Sequence, residues 1–443
     1  MIRTTLLVGI LASIATAAAC GAPPDALDDT LALVGLRRGD LGWRPKAWWP
    51  RWPTAEYKLR AFDALFAEPL DTLAYTRTLA EAAWEKLDPA QLDQKTPSTD
   101  GNLFQAVQRL GLDAKFGGFR GYHTNLLAAD TPLDEAIVRL MQTAGRATEG
   151  YTFGMKLPYP QPRAALAERL KVLPEGVSPI LGRLVLNIVE AQRWAELAFR
   201  KVDAADRLTV ATRLNIGEEM IDAVDYCPAV DDVARAWDEA SMWYAAQKCV
   251  QALDDARVAL QQVGREREWP EFACDWETPW GWIRVRGGGR DEVEGHDALL
   301  IVDLGGDDTY TGPVAASAAG LPISLLLDLG GADTYTSDQG RPAQGAGLCG
   351  VGILIDTAGA DRYTAERYAQ GVGQFGFGLL ADLGGDDEYF CKFSGQACGY
   401  FGVGLLFDVA GDDKYKLYAE GQGLGGVGGV GVLADRAGDD RYT

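Results

Sequence analysis

One short phrase is written six times across the last third of this 443-residue chain. Asp303-Leu-Gly-Gly-Asp-Asp308-Thr-Tyr310 returns as Asp328 to Tyr335, Asp356 to Tyr363, Asp382 to Tyr389, Asp408 to Tyr415 and Asp435 to Tyr442. The first aspartates are 25, 28, 26, 26 and 27 residues apart, and a second marker, Gln344, Gln370, Gln396 and Gln422, recurs every 26. A fixed period of this length marks a stacked-coil array, in which one repeat is too small to bury a core and gains one only from its neighbours. Every residue of the phrase therefore meets its own copies.

Each period holds an apolar stretch, such as Val351-Gly-Ile-Leu-Ile355 or Val403-Gly-Leu-Leu-Phe407, that runs straight into the Asp-x-x-Gly turn. A polar connection follows the Tyr, and then a glycine-rich piece such as 370–378. Strand, tight turn, strand and second bend make one coil of a β-solenoid, and six coils at ~4.8 Å per step give a rod on the order of 30 Å long. In-register stacking makes equivalent positions behave as cross-strand pairs. Arg362, Glu388 and Lys414 alternate in sign at one such position, followed by Arg441. The six tyrosines predict an aromatic ladder, and Leu326, Leu354, Leu380, Leu406 and Leu433 a core column. Upstream, Gly287-Gly-Gly-Arg-Asp291 reads as a degenerate first turn.

The same stacking piles up charge. The chain carries a net charge of −21, and from Asp297 onward 21 acidic residues face 8 basic ones. That balance excludes nucleic acid as a partner and favours cations or basic surfaces. Two ionised carboxylates about 5 Å apart repel by roughly 3 kcal/mol at an effective dielectric near 20, so columns of aspartate need an offsetting partner. Calcium fits, as a hard cation that takes carboxylate and carbonyl oxygens. The candidate ligands are Asp303, Asp307, Asp308, Asp328, Asp333, Asp356, Asp361, Asp382, Asp386, Asp387, Asp408, Asp412, Asp413, Asp435, Asp439 and Asp440. Two metal-free readings remain open beside it. In one, the first Asp of each phrase accepts the Gly-Gly amides in an Asx-turn while the second is partly solvated, giving a purely structural solenoid. In the other, paired aspartates act as acid and base in a polysaccharide lyase or hydrolase.

Gly305-Gly-Asp-Asp-Thr-Tyr310 resembles the Gly-Gly-x-Gly-x-Asp turn of the repeat-in-toxin (haemolysin-type) calcium β-rolls. That likeness implies calcium held between adjacent coils, although those rolls repeat every nine residues and this chain has one such element per period. The coils also resemble glycine/aspartate-rich tandem repeats of exported bacterial proteins, a likeness that implies export and no particular activity.

The first residues point the same way. Arg3 precedes an apolar run from Leu6 to Ala19, too short to span a bilayer and read as a signal peptide over 1–19. Ala17-Ala18-Ala19-Cys20-Gly21 resembles the lipobox of bacterial lipoproteins, which implies acylation of Cys20 and a membrane-anchored place in the cell envelope. A tether over 20–25 leads to an all-α domain over 26–270, with helices expected at 55–67, 72–87, 162–172, 179–200 and 216–226 and one from Asp231 to Gly264. A connecting segment, 271–296, joins it to the solenoid, 297–443. The fold class is thus multidomain α and β, an all-α domain followed by a parallel β-helix-like solenoid of about six coils.

Beyond Cys20 there are six cysteines, Cys227, Cys249, Cys274, Cys349, Cys391 and Cys398, open to disulfide pairing in an exported protein, with Cys391 and Cys398 spaced to staple one coil. Catalytic motifs are missing: His123 and His296 are the only histidines, and no His-Glu-x-x-His, Gly-x-Ser-x-Gly or phosphate loop occurs. Trp43 to Pro53, basic and aromatic, reads as tryptophans wedged between helices or as an interfacial patch. The expected role is binding: calcium in the coils, and a repetitive face offered to a polysaccharide or surface protein. The last coil leaves an open strand edge, which either the helical domain covers by folding back or a second rod meets end to end.

Overall fold

The computed structural model describes residues 31–33, 35, 37, 71–72, 74–75, 77–78, 102–114, 131–144, 163–212, 227–337 and 340–443. The lipobox, the Trp43 to Pro53 run, His123 and the helices expected at 55–67 and 216–226 lie outside them. Residues 1–86 and 87–443 form two compact units. In the first, the described residues 31–33, 71–72, 74–75 and 77–78 are helical.

In the second unit a helical region precedes a parallel β-solenoid of about five turns with a period near 26 residues. Six copies of the phrase are joined by five complete turns, which is why the count of turns is one lower than that of phrases. Three sheets run along the rod. The first contains the apolar strands, among them Ala298–Asp303, Ile323–Asp328, Val351–Asp356, Phe377–Asp382, Val403–Asp408 and Val430–Asp435, and opens with an antiparallel hairpin, Ala273–Thr278 and Gly281–Arg286. The second contains the strands that begin after the second Asp of each phrase, and the short third sheet closes the coil.

The pairing is in register. Phe377 to Asp382 align one for one with Val403 to Asp408, and Tyr363 with Tyr389. The leucine column of Leu326, Leu354, Leu380 and Leu406 shares one core with the tyrosines, with Leu433 packed against it. Successive tyrosine rings from Tyr310 to Tyr442 stack at 4.6–4.9 Å, nearly parallel. The alternating charges meet as foreseen: Glu388 lies 2.7 Å from Arg362 and 2.8 Å from Lys414. The degenerate turn is also present, because Glu292–Glu294 pairs with Thr309–Thr311 and so sets Asp291 level with Asp308.

The five strands of the first sheet from Ala298–Asp303 to Val403–Asp408 are buried along their whole length because both faces are covered. One faces the solenoid core. Against the other lie the helices Val177–Ala198 and Glu239–Gly264, which also pack on each other. Trp237 meets Phe375 edge-on at 5.6 Å, and Gln374 Nε2 donates to the Val210 carbonyl at 2.6 Å, so the helices also hold the third sheet. The helix expected from Asp231 to Gly264 is two helices, Pro228–Ala236 and Glu239–Gly264. Asp238 breaks it, capping the second piece through Ser241 N. The apolar spacing passes through the break, which hid it.

The recurring glutamine has a mechanical role. Gln344, Gln370 and Gln396 sit at corners with φ of 53°, 63° and 51°, a left-handed backbone that non-glycine residues adopt at a cost. Each side chain turns inward and donates two hydrogen bonds to carbonyls of adjacent coils: Gln370 Nε2 to Tyr363 at 3.2 Å and to Phe390 at 3.0 Å. Gln370→Ala strips a donor from both buried carbonyls. It is expected to cost about 1–3 kcal/mol in urea denaturation; an unchanged midpoint would contradict the clamp.

Candidate metal centre

Two rows of aspartate run side by side through the interior of the rod. The first row, Asp303, Asp328, Asp356, Asp382, Asp408 and Asp435, ends the strands of the first sheet. The second row, Asp308, Asp333, Asp361, Asp387, Asp413 and Asp440, stands just before the strands of the second, and Asp291 extends it by one coil. Glycine makes the turn between them. Gly359 has φ of 156°, and a Cβ there would sit 1.6 Å from the Gly331 carbonyl, so no other residue lets neighbouring turns approach this closely.

First-row carboxylates from Asp303 to Asp382 are well supplied, whereas Oδ1 of Asp408 and of Asp435 is buried without a partner. Asp328 Oδ1 accepts the Gly330 amide at 2.9 Å, and Asp382 Oδ1 that of Gly384 at 3.1 Å, the Asx-turn expected from the spacing. Their Oδ2 atoms accept tyrosine hydroxyls across coils, as from Tyr335 to Asp356 at 2.6 Å and from Tyr363 to Asp382 at 2.8 Å. Second-row acids differ. Oδ1 of each accepts the backbone N–H of the second-row acid one coil earlier, with Asp333 N donating to Asp361 at 2.6 Å and Asp361 N to Asp387 at 2.7 Å. Oδ2 of Asp308, Asp333, Asp361, Asp387 and Asp413 is buried and has no partner. The second acid is therefore not partly solvated, as the purely structural alternative held: Asp333, Asp387 and Asp413 are each 1% exposed.

The rows converge into triads. Asp291, Asp303 and Asp308 form one; Asp308, Asp328 and Asp333 the next; then Asp333, Asp356 and Asp361; Asp361, Asp382 and Asp387; Asp387, Asp408 and Asp413; and there is a sixth group. One oxygen from each member lies within 4.8 Å of the others. Ring stacking contributes about 0.5–1.5 kcal/mol per tyrosine pair, against roughly 3 kcal/mol of repulsion per ionised pair near 5 Å, so repulsion wins unless charge is removed. Burial first, and the neighbouring carboxylates after it, push Asp356 and Asp303 far above the ordinary 3.8, Asp303 to about 9. Asp308 is pushed up to about 6, again chiefly by burial. Asp382 and Asp387 face each other as two acceptors, a contact that requires a proton or a cation between them. Every donor atom is a carboxylate oxygen, a set suited to calcium, magnesium or manganese rather than zinc or copper.

Asp307, Asp386, Asp412 and Asp439 point outward instead and are exposed. They form a third, surface row that caps amides of the next coil: Asp386 Oδ1 accepts from Asp412 N at 3.0 Å and Asp412 Oδ1 from Asp439 N at 2.9 Å. A one-residue step in a tight turn reverses the side, which the period cannot report. Asp291 and Arg286 were not singled out as site residues. Asp291 had a signal in the Gly287 to Asp291 turn; Arg286, buried and 3.5 Å from Asp291, had none. The expected disulfides are also absent, since all six described cysteines are free thiols. Cys391 packs with Ala365 and Ala369, and Cys398 with Tyr368 and Val372, in separate clusters.

The raised acids set a pH dependence for chelator-treated protein. A carboxyl with a folded pKa above its unfolded value stabilises the fold fully below about 4, and this contribution is lost as pH rises through the folded pKa. The melting temperature without metal should therefore fall between pH 4 and 9, through about 6 at Asp308 and about 9 at Asp303. Saturating calcium should remove most of that fall by holding the carboxylates ionised; a flat metal-free profile would contradict buried, proton-filled rows. No protein family, curated protein sequence or solved structure matches this chain.

Proposed function

We propose that the chain is an exported, lipid-anchored protein of the cell envelope whose solenoid binds calcium and presents a repetitive surface to a polymer or protein partner. The observation that carries it is the unpartnered Oδ2 of the second-row aspartates, repeated in five successive coils on residues that cluster with two further carboxylates. A buried, ionised acid without a donor costs several kcal/mol, and a hard cation between three carboxylates removes that cost. Calcium suits the site better than magnesium, which demands near-ideal octahedral geometry and keeps its waters. Millimolar external calcium saturates even the weak sites typical of extracellular modules, which accords with export.

The outward face of the second sheet supports a polymer partner. Lys414 and Lys416 are exposed there, Lys416 lies over the rings of Phe390 and Tyr418, and Tyr418 is 61% exposed. Basic and aromatic side chains on a chain of charge −21 favour an anionic, ring-bearing ligand such as an acidic polysaccharide. Burial of both inner rows weighs against the lyase or hydrolase alternative, since catalytic carboxylates must touch substrate, and leaves it only the exposed Asp307, Asp386, Asp412 and Asp439. Among the described residues no helix is long and apolar enough to cross a membrane, and attachment is assigned to Cys20.

Adding calcium to chelated protein at pH 7.5 should raise the melting temperature by several degrees or more; an unchanged melting curve would contradict the metal reading. Mass spectrometry of the mature protein should find Cys20 as an acylated N-terminus. An unmodified Cys or Ala there would remove the anchor.

A further inference from the structure

We infer that the buried acids form one continuous array for six divalent cations, in which neighbouring ions share ligands and the guanidinium of Arg286 closes the first step. The inference rests on the calcium reading and adds to it the number of ions, their coupling and a residue that ends the row.

Sharing follows from membership. Asp308, Asp333, Asp361 and Asp387 each belong to two successive triads, whereas Asp303, Asp328, Asp356 and Asp382 each belong to one. A second-row carboxylate thus bridges two ions, and its unpartnered Oδ2, on side chains 1–2% exposed, is the atom left for that work. Asp303, Asp328, Asp356 and Asp382, each already holding an amide and a tyrosine hydroxyl, complete one site each. The five triads from Asp291 to Asp413 draw on eleven carboxylates, five in the first row and six in the second, and the sixth group, assigned by the period to Asp413, Asp435 and Asp440, brings the total to thirteen. Six dications supply twelve positive charges and leave one negative charge over.

That remainder falls where Arg286 stands. Val285 pairs with Val302, so the next residue, Arg286, is level with Asp303 and takes the place that a first-row aspartate would hold in the incomplete coil. Its side chain is 6% exposed, lies 3.5 Å from Asp291, and is held from the other side by Asp275 at 2.5 Å. A seventh ion there would meet a fixed positive charge, so the array stops at Asp291. Among the described residues of the strands Arg286 is the one buried basic side chain, so in the complete coils the charge must come from solution.

The test counts calcium on the full chain by equilibrium dialysis against calcium chloride followed by elemental analysis. Wild type should hold six ions. Asp361→Asn, which removes a bridging ligand, should hold four, and Asp356→Asn, which removes an unshared one, five. Asp307→Asn, on the exposed row, should retain six. Three ions in wild type, as alternate filling would give, or equal losses from Asp361→Asn and Asp356→Asn, would overturn the shared array while leaving calcium binding intact. Calcium absent from the wild type would overturn the underlying reading as well. If Asp361→Asn fails to melt cooperatively, the wild-type count together with Asp356→Asn still decides.

Discussion

Stacking a carboxylate on its own copy inside a protein is the constraint from which the rest of this solenoid follows. Parallel, in-register coils bring identical residues within about 5 Å of each other, a distance at which apolar and aromatic side chains gain and charged ones lose. Leucine and tyrosine columns benefit and need no further explanation. The aspartate rows do not, and the surrounding chemistry reads as a set of responses to them. Glycine turns aim backbone amides inward, tyrosine hydroxyls reach from one coil to the next, and the alternating Arg362, Glu388 and Lys414 keep the outer surface balanced. Donors suffice for the first row as far as Asp382 and run short in the second.

The same acids hold the coils together. Each second-row carboxylate accepts an amide from the coil before it, and each first-row carboxylate accepts a tyrosine hydroxyl, so ligand and structural clamp are one set of residues. Charge state and stacking are consequently linked: whatever neutralises the rows also decides how firmly adjacent coils are joined. The helices Val177–Ala198 and Glu239–Gly264 cover the outer face of the first sheet and have no part in the triads. The candidate metal groups lie in the repeated part, and these two helices pack against its first sheet.

What the sequence revealed and what it hid divide along repetition. The period, the register, the tyrosine ladder and the paired columns were legible because in-register stacking converts one spacing into a contact map; Asp356 over Asp382 needs no other information. Which side of the turn an aspartate faces was not. Asp386 and Asp387 are adjacent and chemically identical, yet backbone dihedrals at the turn glycines send one to solvent and the other into the core. Gln370 was visible as a marker without a role, because its two acceptors are carbonyls that any residue supplies. Arg286 and Asp238 occur once and leave no periodic trace. The cysteines misled, since spacing along the chain does not say whether two thiols share a cluster.

The most direct measurement is anomalous X-ray diffraction from crystals grown with calcium and, in parallel, with a heavier divalent surrogate. Ion-mediated neutralisation predicts a line of anomalous peaks along the rod, one between the first- and second-row aspartates of each triad, about one coil spacing apart. Interiors free of such peaks at saturating metal, with the aspartates hydrogen-bonded only to one another and to tyrosine, would show that protons fill these rows, and would contradict the metal reading.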